Sequence, residues 1–575
     1  GLTNGVNGCI TDDPMFVDPA NTNYQLAGHS PCINAGVDAL ASTDVTPYDL
    51  AGLPRIVAGA VDMGAYEFQN IAYADASRAD DSGAGTSWAT AKRTLQAAVD
   101  MLYDGGTVWV TNGVYDEGSM PMPGYSVSNR VVITNAIAVQ SMNGPDETFI
   151  VGAPDTNGGS PSNGPASVRG VYMNGGAMLS GFTITNGWSM DPYSTVYTQD
   201  RMAGGIWMKD STLTNCVISG CISVYMGGGV YVAGTATVNN CTISGNSAVS
   251  AGGIFLYNGG EMNNCVIRGN SATSMGGGLR TQTGAVANNS VIAENTCFKY
   301  GGGLFLQGGT INNSLIVSNE VDGLGGGAAT LNSGTINNCT IVDNVAVTNG
   351  GGVYFSNNGT INNSIVWGNS TNAFAWSAGA TVRSTCAPDG LTNGVAGCTT
   401  NDPLFANAAG GNYRLSQVSS CLNAGDNAYA PTNATPYDLD GRTRIAFDTV
   451  DMGAYELQCQ VSVTIGPFAG GNSITITNSG LGTVTNVLVG GVQAAIIGSG
   501  TSWVTITLPA TGSAGAKDLV IQTSDNGDIT LANAYTYNPA GVIPPEVHRG
   551  LQATVTLSRT WLNGTRGVTL AGANA

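Results

Sequence analysis

Basic side chains and histidine are scarce in this 575-residue sequence. It has 19 Lys and Arg against 38 Asp and Glu, and only 2 His. The net charge of −19 argues against nucleic acid or an anionic membrane as a partner, because both repel an acidic surface. HExxH and GxSxG motifs are also missing, so two common hydrolase signatures are excluded.

Long apolar runs and closely paired cysteines are missing as well. No run reaches the length that spans a bilayer, and no signal peptide is recognisable. The 12 cysteines include no CxxC pair, which argues against zinc ribbons and thioredoxin-like chemistry. Because the sequence opens on Gly rather than Met, we expect a processed or partial piece of a longer precursor.

The sequence is instead rich in repetition, on two scales. On the longer scale, residues 1–69 and 390–458 align without a gap at an offset of 389 residues, and both contain TPYDL and VDMGAYE. We interpret each segment as one loop-rich module that caps a β-helix, so that the first copy would end a β-helix lying before residue 1. The alternatives are a longer tandem protein, or a cleaved cap that docks on a neighbouring subunit and allows head-to-tail growth.

The charged residues of the module also recur. The matched pairs are Asp49 and Asp438, Arg55 and Arg444, Asp62 and Asp451, and Glu67 and Glu456. Carboxylates near an arginine suggest acid/base catalysis, but we favour a structural role in which they satisfy loop backbone groups. Asp12, Asp13 and Asp18 weakly suggest a Ca²⁺ site, because the second copy has Asn401, Asp402 and Asn407. No other cofactor or metal is predicted.

Cysteine spacing predicts the cellular compartment. Cys9 and Cys32 recur with the same separation as Cys398 and Cys421. Two equivalent pairs favour two disulfides and an oxidising, extracellular setting, and the alternative is four buried thiols. The sequence gives no pairing for Cys386 or Cys459.

On the shorter scale, three series of residues recur every 24 or 25 positions between the two modules. Their members are the glycines 205, 229, 253, 278, 303, 327 and 352, the Cys/Ser series 216, 241, 265, 290, 314, 339 and 364, and the asparagines 246, 270, 295, 319, 344 and 369. Each unit is full of Gly, Asn, Thr and Val, which form helices poorly. Short alternating strands with turns at a fixed phase predict a parallel β-helix, in which like side chains stack at about 4.8 Å.

The predicted fold is all-β. A right-handed parallel β-helix would occupy residues 70–389, with one amphipathic helix at about 87–104 plugging its N-terminal end. That helix would start after Thr86 or Ser87 and bury Leu95, Ala98, Val99 and Leu102. Two residues after each marker glycine comes a column that alternation places on the outside: Trp207, Tyr231, Phe255, Arg280, Phe305, Ala329 and Tyr354. We predict an aromatic stripe there, which either stabilises the sheet or binds glycans or a neighbouring subunit.

Several stretches resemble known families. Units such as GGGVYV and NNCTISGNSA resemble the repeats of bacterial polymorphic-membrane-protein β-helices, within the pectin-lyase-like class, although Ile replaces the Phe of their FxxN motif. The DMGAYE endings resemble choice-of-anchor Q domains. These resemblances imply exposure outside the cell or at a bacterial surface.

The C-terminal part changes character. Residues 459–540 have alternating strands with Gly/Asn turns and resemble an IPT/TIG immunoglobulin-like β-sandwich. Residues 541–575 are predicted to be a linker and a strand-like tail, with Leu551, Ala553, Val555 and Leu557 on one face. The tail would either complete a partner's sheet or begin a further domain.

The predicted function is that of a non-enzymatic, extracellular structural or adhesive protein, a rod within a giant surface protein, a filament or a surface layer. Its partners would be other copies or further modules of the same precursor, and glycans under the second hypothesis. That hypothesis is a carbohydrate-binding adhesin, and the third is a polysaccharide lyase or hydrolase. Lys299 and Asp322, on adjacent coils, would be the nearest approach to a lyase centre. A surface ion pair is the simpler interpretation of them.

Overall fold

A computed structural model describes residues 3–38, 47–56, 60–191, 199–376, 379–415, 419–430, 436–445, 449–457, 459–467, 469–478, 481–511, 513–524 and 527–538. By their contacts these residues form two compact units, one reaching Thr400 and one beginning at Asn401. The boundary falls inside the second copy of the module. The strand-like tail with Leu551, Ala553, Val555 and Leu557 lies outside the described residues.

Three long sheets build the first unit. Sheet A contains Met120–Pro121, Ser128–Ile133, Val168–Met173, Ile206–Lys209, Val230–Ala233, Ile254–Tyr257, Leu279–Thr281, Leu304–Leu306, Ala328–Thr330, Val353–Phe355 and Phe374–Trp376. Sheet B contains Ile71–Ala74, Thr107–Val110, Ala138–Ser141, Met178–Ser180, Thr212–Thr214, Thr237–Asn239, Glu261–Asn263, Val286–Asn288, Thr310–Asn312, Thr335–Asn337, Thr360–Asn362 and Thr381–Arg383. Sheet C contains Gly113–Tyr115, Thr148–Val151, Thr183–Thr185, Val217–Ser219, Thr242–Ser244, Val266–Arg268, Val291–Ala293, Leu315–Val317, Thr340–Val342 and Ile365–Trp367.

A fourth sheet, sheet D, adds a short arm to five coils. Its strands are Ser247–Ser250, Ser271–Met275, Thr296–Cys297, Glu320–Val321 and Val345–Ala346. All pairings in the four sheets are parallel except that of Met120–Pro121 with Ser128–Ile133. The predicted parallel β-helix is therefore confirmed.

Equivalent residues of successive coils pair directly. Ile206 pairs with Val230, which pairs with Ile254, and the same order continues to Leu279. Each repeat position thus stacks on the equivalent position of the next coil, and the apolar positions form one continuous interior. Ile218, Ile243, Ile267, Ile292, Ile316 and Ile341 are its most regular column, each fully buried. A coil buries this face only against its neighbours, as the repeat requires.

Asparagine forms an amide ladder through this interior. In the column Asn246, Asn270, Asn295, Asn319, Asn344 and Asn369, each Nδ2 donates to the Oδ1 of the next member at 2.9–3.0 Å. The same Oδ1 accepts the backbone N–H of the preceding asparagine, as Asn270 does from Asn246 at 3.0 Å. Each Nδ2 also donates to a carbonyl, which for Asn295 is that of Ile267 at 2.9 Å. Because buried amides are costly unless satisfied, the ladder fixes the register of the coils.

The Cys/Ser column occupies the corner between sheets B and C. Ser290 Oγ, for example, accepts the N–H of Cys265 at 3.1 Å, and both residues are buried. The asparagine before each Cys or Ser turns the chain with a left-handed φ, such as 48° at Asn289 and 50° at Asn313. Asparagine tolerates that conformation better than other residues with a side chain, which explains its recurrence there.

The N-terminal plug is shorter than predicted. The helix is Leu95–Val99 rather than about 87–104, and Thr94 caps it, not Thr86 or Ser87. Trp88–Thr90 is a separate 3₁₀ turn. The reason is that Lys92 is held extended, donating its N–H to Tyr73 and accepting from Asp75. The predicted apolar positions Leu95, Ala98, Val99 and Leu102 are nevertheless all buried in the β-helix interior.

The two modules share their regular elements. The first has strands Phe16–Asp18 and Asn23–Leu26 with 3₁₀ turns Val6–Gly8 and Pro19–Asn21. The second has Phe405–Asn407 and Asn412–Leu415, with turns Val395–Gly397, Ala408–Gly410 and Asn427–Tyr429. In both, the hairpin pairs in the same register.

The second unit ends in a two-sheet β-sandwich. One sheet has the order Cys459–Val461, Ser473–Asn478, Trp503–Thr507 and Ala495–Gly500. The other has the order Ile465–Pro467, Gly527–Asn538, Gly515–Thr523, Val484–Val489 and Val492–Gln493. Ile476, Val504, Ile521 and Tyr535 pack between the sheets, so this part of the chain is a β-sandwich; its immunoglobulin-like character stays a prediction.

We predict that Asn295→Ala destabilises the β-helix far more than Asn337→Ala. Asn295 lies inside the ladder, and its loss leaves buried partners on Asn270 and Asn319 unsatisfied, at a cost of about 2 kcal/mol or more. Asn337 belongs to a half-buried outer ladder, where water replaces the lost bond. Urea unfolding of the full chain measures both, and equal midpoints for the two variants would contradict the role of the inner ladder.

Candidate functional site

The candidate site is the outer face of sheet A, where the predicted aromatic column lies. Strand pairing places Tyr172, Trp207 and Tyr231 side by side, and the column continues through Phe255 to Arg280. The rings of Tyr172 and Trp207 stack with centroids 4.9 Å apart, and those of Trp207 and Tyr231 with centroids 5.9 Å apart. These residues form an apolar cluster separate from the interior, so the column does face outward.

The column is nevertheless not an open surface, which corrects the expected stripe. Trp207, Tyr231, Phe255, Arg280 and Phe305 are all buried, with Trp207 only 4% exposed. The cluster over the first coils includes Met122, Val127, Met190, Ala203 and Ala251. Residues 122, 127, 190 and 203 therefore pack against the first part of the column, which the alternation of apolar residues in the strands could not reveal.

A buried arginine anchors the covering segment. Arg169 is fully buried and donates to the carbonyls of Gln199, Met202 and Ala203 at 2.6–2.9 Å. Burial lowers the pKa of Arg169 to about 9, and nearby Asp200 opposes that shift. Asp200 in turn accepts the N–H groups of residues 126 and 127, both at 2.8 Å. One feature of the sequence could have indicated these contacts, namely the single Arg within the otherwise apolar strand VRGVYM.

Arg280 occupies the middle of the column. Its guanidinium lies over the rings of Phe255 and Phe305, at 5.0 and 5.8 Å from their centroids. It donates to Ser250 Oγ at 2.9 Å and to Gln307 Oε1 at 2.7 Å. Burial lowers its pKa, and the aromatic faces and neutral oxygens compensate the charge in place of a carboxylate. Arg280 therefore acts as a packed member of the column.

The far end of the column is partly exposed. There fully buried Ala329 lies between Phe305 and Tyr354 in strand pairing, and Tyr354 is half-buried. The ring of Tyr300, which is 37% exposed, lies nearly parallel to that of Tyr354 with centroids 6.5 Å apart. Of the predicted binding residues, Tyr354 alone reaches the surface, and sequence reasoning missed its neighbour Tyr300.

The predicted Lys299/Asp322 contact brings no catalytic pair together. Both residues lie on adjacent coils, and the Leu324 N–H donates to the Lys299 carbonyl at 3.0 Å. Among the ion pairs of the described residues, however, neither side chain takes part. Backbone stacking thus accounts for their proximity.

The recurring carboxylates of the module brace its loops, as the structural interpretation predicted. Asp451 accepts the N–H groups of Asn423 and Leu457 at 2.7 and 2.8 Å, and its own N–H donates to Glu456. The Glu456 N–H donates to Asp438 at 2.8 Å. In the first copy, Asp62, Glu67 and Asp49 make the matching bonds. VDMGAYE thus supplies acceptors for a segment that has little regular structure.

The structure shows no cluster of Ca²⁺ ligands at the predicted residues Asp12, Asp13 and Asp18. Asp13 accepts the N–H of Met15 and Asp18 that of Asn21, which are ordinary turn contacts. Within the described ranges, no group of three or more His, Cys, Asp or Glu side chains is placed to hold a metal ion. Calcium binding stays a prediction.

The predicted disulfides are not formed. Cys9, Cys32, Cys398 and Cys421 are free thiols, as are all eleven cysteines whose side chains the structure describes. Cys398 Sγ instead donates to backbone carbonyls, including that of Val382 at 3.9 Å. The spacing recurs because the whole module recurs, so it carries no independent sign of an oxidising compartment.

Residues 228–387 match the family model described as a right handed β-helix region. No curated protein matches the chain. Among solved structures, pectate lyase Pel9A is 15% identical, with 67% of this chain and 96% of that one covered and a TM-score of 0.37. A rhamnogalacturonan lyase is 11% identical, with 57% and 90% covered and a TM-score of 0.33. Pectin methylesterase PemA from Erwinia chrysanthemi is 11% identical, with 44% and 80% covered and a TM-score of 0.25.

These similarities concern the solenoid and say nothing of activity at such low identity. The family-model match identifies residues 228–387 as a right-handed β-helix region, in agreement with the parallel sheets described above. Within the described segments, none of the helices is long and apolar enough to cross a membrane.

We predict that the second module is more stable in mild acid. Burial raises the pKa of Asp451 to about 6, and burial also raises that of Asp438. The folded form therefore holds more protons than the unfolded form between about pH 4 and 6, and its free energy of unfolding falls as the pH rises through that window. For Asp451 the loss is about 3 kcal/mol.

Hydrogen exchange at the Asn423 and Leu457 amides, corrected for intrinsic rates, measures this loss. Asp451→Asn should lower protection at every pH, because its amide opposes a backbone N–H, but should flatten the pH dependence. An unchanged slope in the variant would show that Asp451 is not the titrating group.

We also predict that the native protein contains free thiols. Buried thiols such as Cys221, whose pKa burial raises to about 12, should resist alkylation, whereas partly exposed Cys9 should react. Alkylation after unreduced denaturation, followed by mass measurement, should then label all eleven described cysteines. Two missing pairs of labels, at Cys9/Cys32 and Cys398/Cys421, would restore the disulfide prediction.

Proposed function

We propose that this chain is a non-enzymatic structural and adhesive part of an extracellular surface protein, in which the β-helix serves as a stiff spacer. The proposal is supported by how the solenoid uses its side chains. The side chains of its interior, and many of those on its outer aromatic face, are buried in packing contacts and do not line a cleft.

The observation that carries the proposal is the burial of Trp207, Tyr231 and Phe255. Large aromatic side chains are the natural contacts for a sugar chain on such a face, yet these three are at most 5% exposed. The segment held by Arg169 contributes Ala203 to the apolar cluster that contains all three rings. Burial of these rings stabilises the rod and leaves no groove along the coils that carry them.

Stiffness follows from the stacking. Each coil bonds to its neighbours through three or four strands and through an inner amide ladder. Twelve strands in sheet B, at about 4.8 Å each, give a solenoid roughly 50 Å long. Bending it requires breaking several in-register bonds at once, which suits a spacer that holds other modules away from a surface.

A second candidate function is supported by the partly exposed end of the column. The rings of Tyr300 and Tyr354 are nearly parallel and partly exposed, next to fully buried Ala329. Partly exposed aromatic pairs of this kind suit the apolar faces of sugar rings. Under this hypothesis the chain is an adhesin with one short glycan subsite rather than a long stripe.

We predict that Trp207→Ala and Tyr354→Ala separate these functions. Trp207→Ala removes a buried ring and should cost about 3 to 5 kcal/mol of stability. Tyr354→Ala, at a half-buried site, should cost about 1 kcal/mol or less. If the role is structural, a glycan array should show no signal that either variant removes, and acidic polysaccharides incubated with the full chain should yield no unsaturated or reducing ends.

Other outcomes decide against the structural proposal. A glycan signal lost in Tyr354→Ala and Tyr300→Ala but kept in Trp207→Ala establishes the adhesin. Release of unsaturated or reducing sugar ends by the full chain establishes an enzyme and overturns both.

A further inference from the structure

We propose that the first module joins two β-helices. One part of it would receive the final coil of a parallel β-helix supplied by polypeptide directly ahead of residue 1, and a second part contacts the start of the β-helix described above. The proposal rests on a comparison of the two copies of the module and does not depend on the proposed function.

The second copy shows how a coil end docks on the module. The last strand of sheet B, Thr381–Arg383, leads into a segment that pairs with residues 396–399. Ser384 donates its N–H to Ala396 at 2.9 Å, and Ala387 donates to Thr399 at 3.1 Å. Thr399 donates back to Thr385 at 3.0 Å, and Cys386 pairs with Thr399 in parallel. The start of the module thus adds one further layer to the solenoid.

The first copy has the same edge without a partner. At the 389-residue offset, Ile10 corresponds to Thr399 and Asn7 to Ala396. Within the described part of the chain, the Ile10 N–H and C=O and the Asn7 C=O have no hydrogen-bond partner. An unpaired strand edge of this kind is a template for another strand.

The edge is also already shaped for its partner. Gly5 donates to Cys9 at 2.8 Å, as Gly394 does to Cys398 at 2.8 Å. The left-handed φ at Asn7 is 52°, and that at Ala396 is 50°. The free edge therefore has the backbone conformation of the docked one, and docking requires no rearrangement of the module.

A second part of the first module, at residues 28 and 29, already contacts a β-helix. The ring of His29 lies edge-on to Tyr103 with centroids 4.3 Å apart. Gly28 has no room for a side chain, because a Cβ there would lie 1.8 Å from the Tyr103 ring. The module is therefore fitted to the plugged N-terminal end of the solenoid.

The occupant of the free edge is the last coil of a β-helix with a strand like Thr381–Arg383. This chain's own last coil is not available, since its edge is paired with residues 396–399. Because Gly1 aligns with Gly390 without a gap, polypeptide ending like residues 381–389 and continuing into Gly1 reproduces the docked junction residue by residue. A covalent coil therefore fits the edge better than a second copy in trans.

The test adds that coil to the full chain. Residues 70–389, which carry their own helical plug, are placed before Gly1 so that Asp389 joins Gly1. Cys9 alkylation and Ile10 amide exchange are then compared in the extended and original proteins. We expect at least tenfold slower rates at both positions in the extended protein.

Proline substitutions supply the matched controls. In the original chain, Ile10→Pro should leave stability unchanged because its N–H is unpaired, whereas Thr399→Pro should expose Cys398 to alkylation. In the extended protein, Ile10→Pro should return Cys9 to its original rate. Equal Cys9 and Ile10 rates with and without the added coils overturn the proposal, as does a folded first module beside added coils that fail to fold.

Discussion

The parallel pairing of each coil with its own repeat is the constraint on which this structure depends. Because strands of successive coils match residue for residue, any side chain chosen at one position must tolerate its equivalent about 4.8 Å above and below. Isoleucine columns meet that condition by packing. Asparagine meets it by bonding to itself along the axis, so a polar residue becomes part of the core rather than a defect in it.

The same constraint explains the composition. A column of like charges would repel along its whole length, which accounts for the low charge content of the coils. Arg280 is a buried charge in one column, and it lies over the aromatic rings on the strands before and after it. Arg169 is also buried, and it holds a covering segment in place through backbone carbonyls.

Periodicity made the solenoid predictable, since the 24- and 25-residue spacings of glycine, Cys/Ser and asparagine are direct consequences of stacking. It also placed Trp207 and Tyr231 on the outer face. Periodicity could not predict that Trp207 and Tyr231 are buried. The covering segments lie outside the repeat, and Arg169 belongs to a coil that lacks the asparagine ladder. The predicted length of the helix was wrong for a similar reason. The Lys92 N–H donates to the Tyr73 carbonyl, and this contact, distant in sequence, overrides the helical pattern. The recurring cysteine spacing was no independent sign of disulfides, because it recurs with the whole module.

The inner asparagine amides are part of the core, and side-chain amide exchange measures this most directly. With asparagine labelled selectively, NMR of the full chain should show the Nδ2 protons of Asn270, Asn295 and Asn319 exchanging far more slowly than those of half-buried Asn337. Comparable exchange at all four would mean that water reaches the ladder and that stacking of the apolar columns alone holds the coils in register.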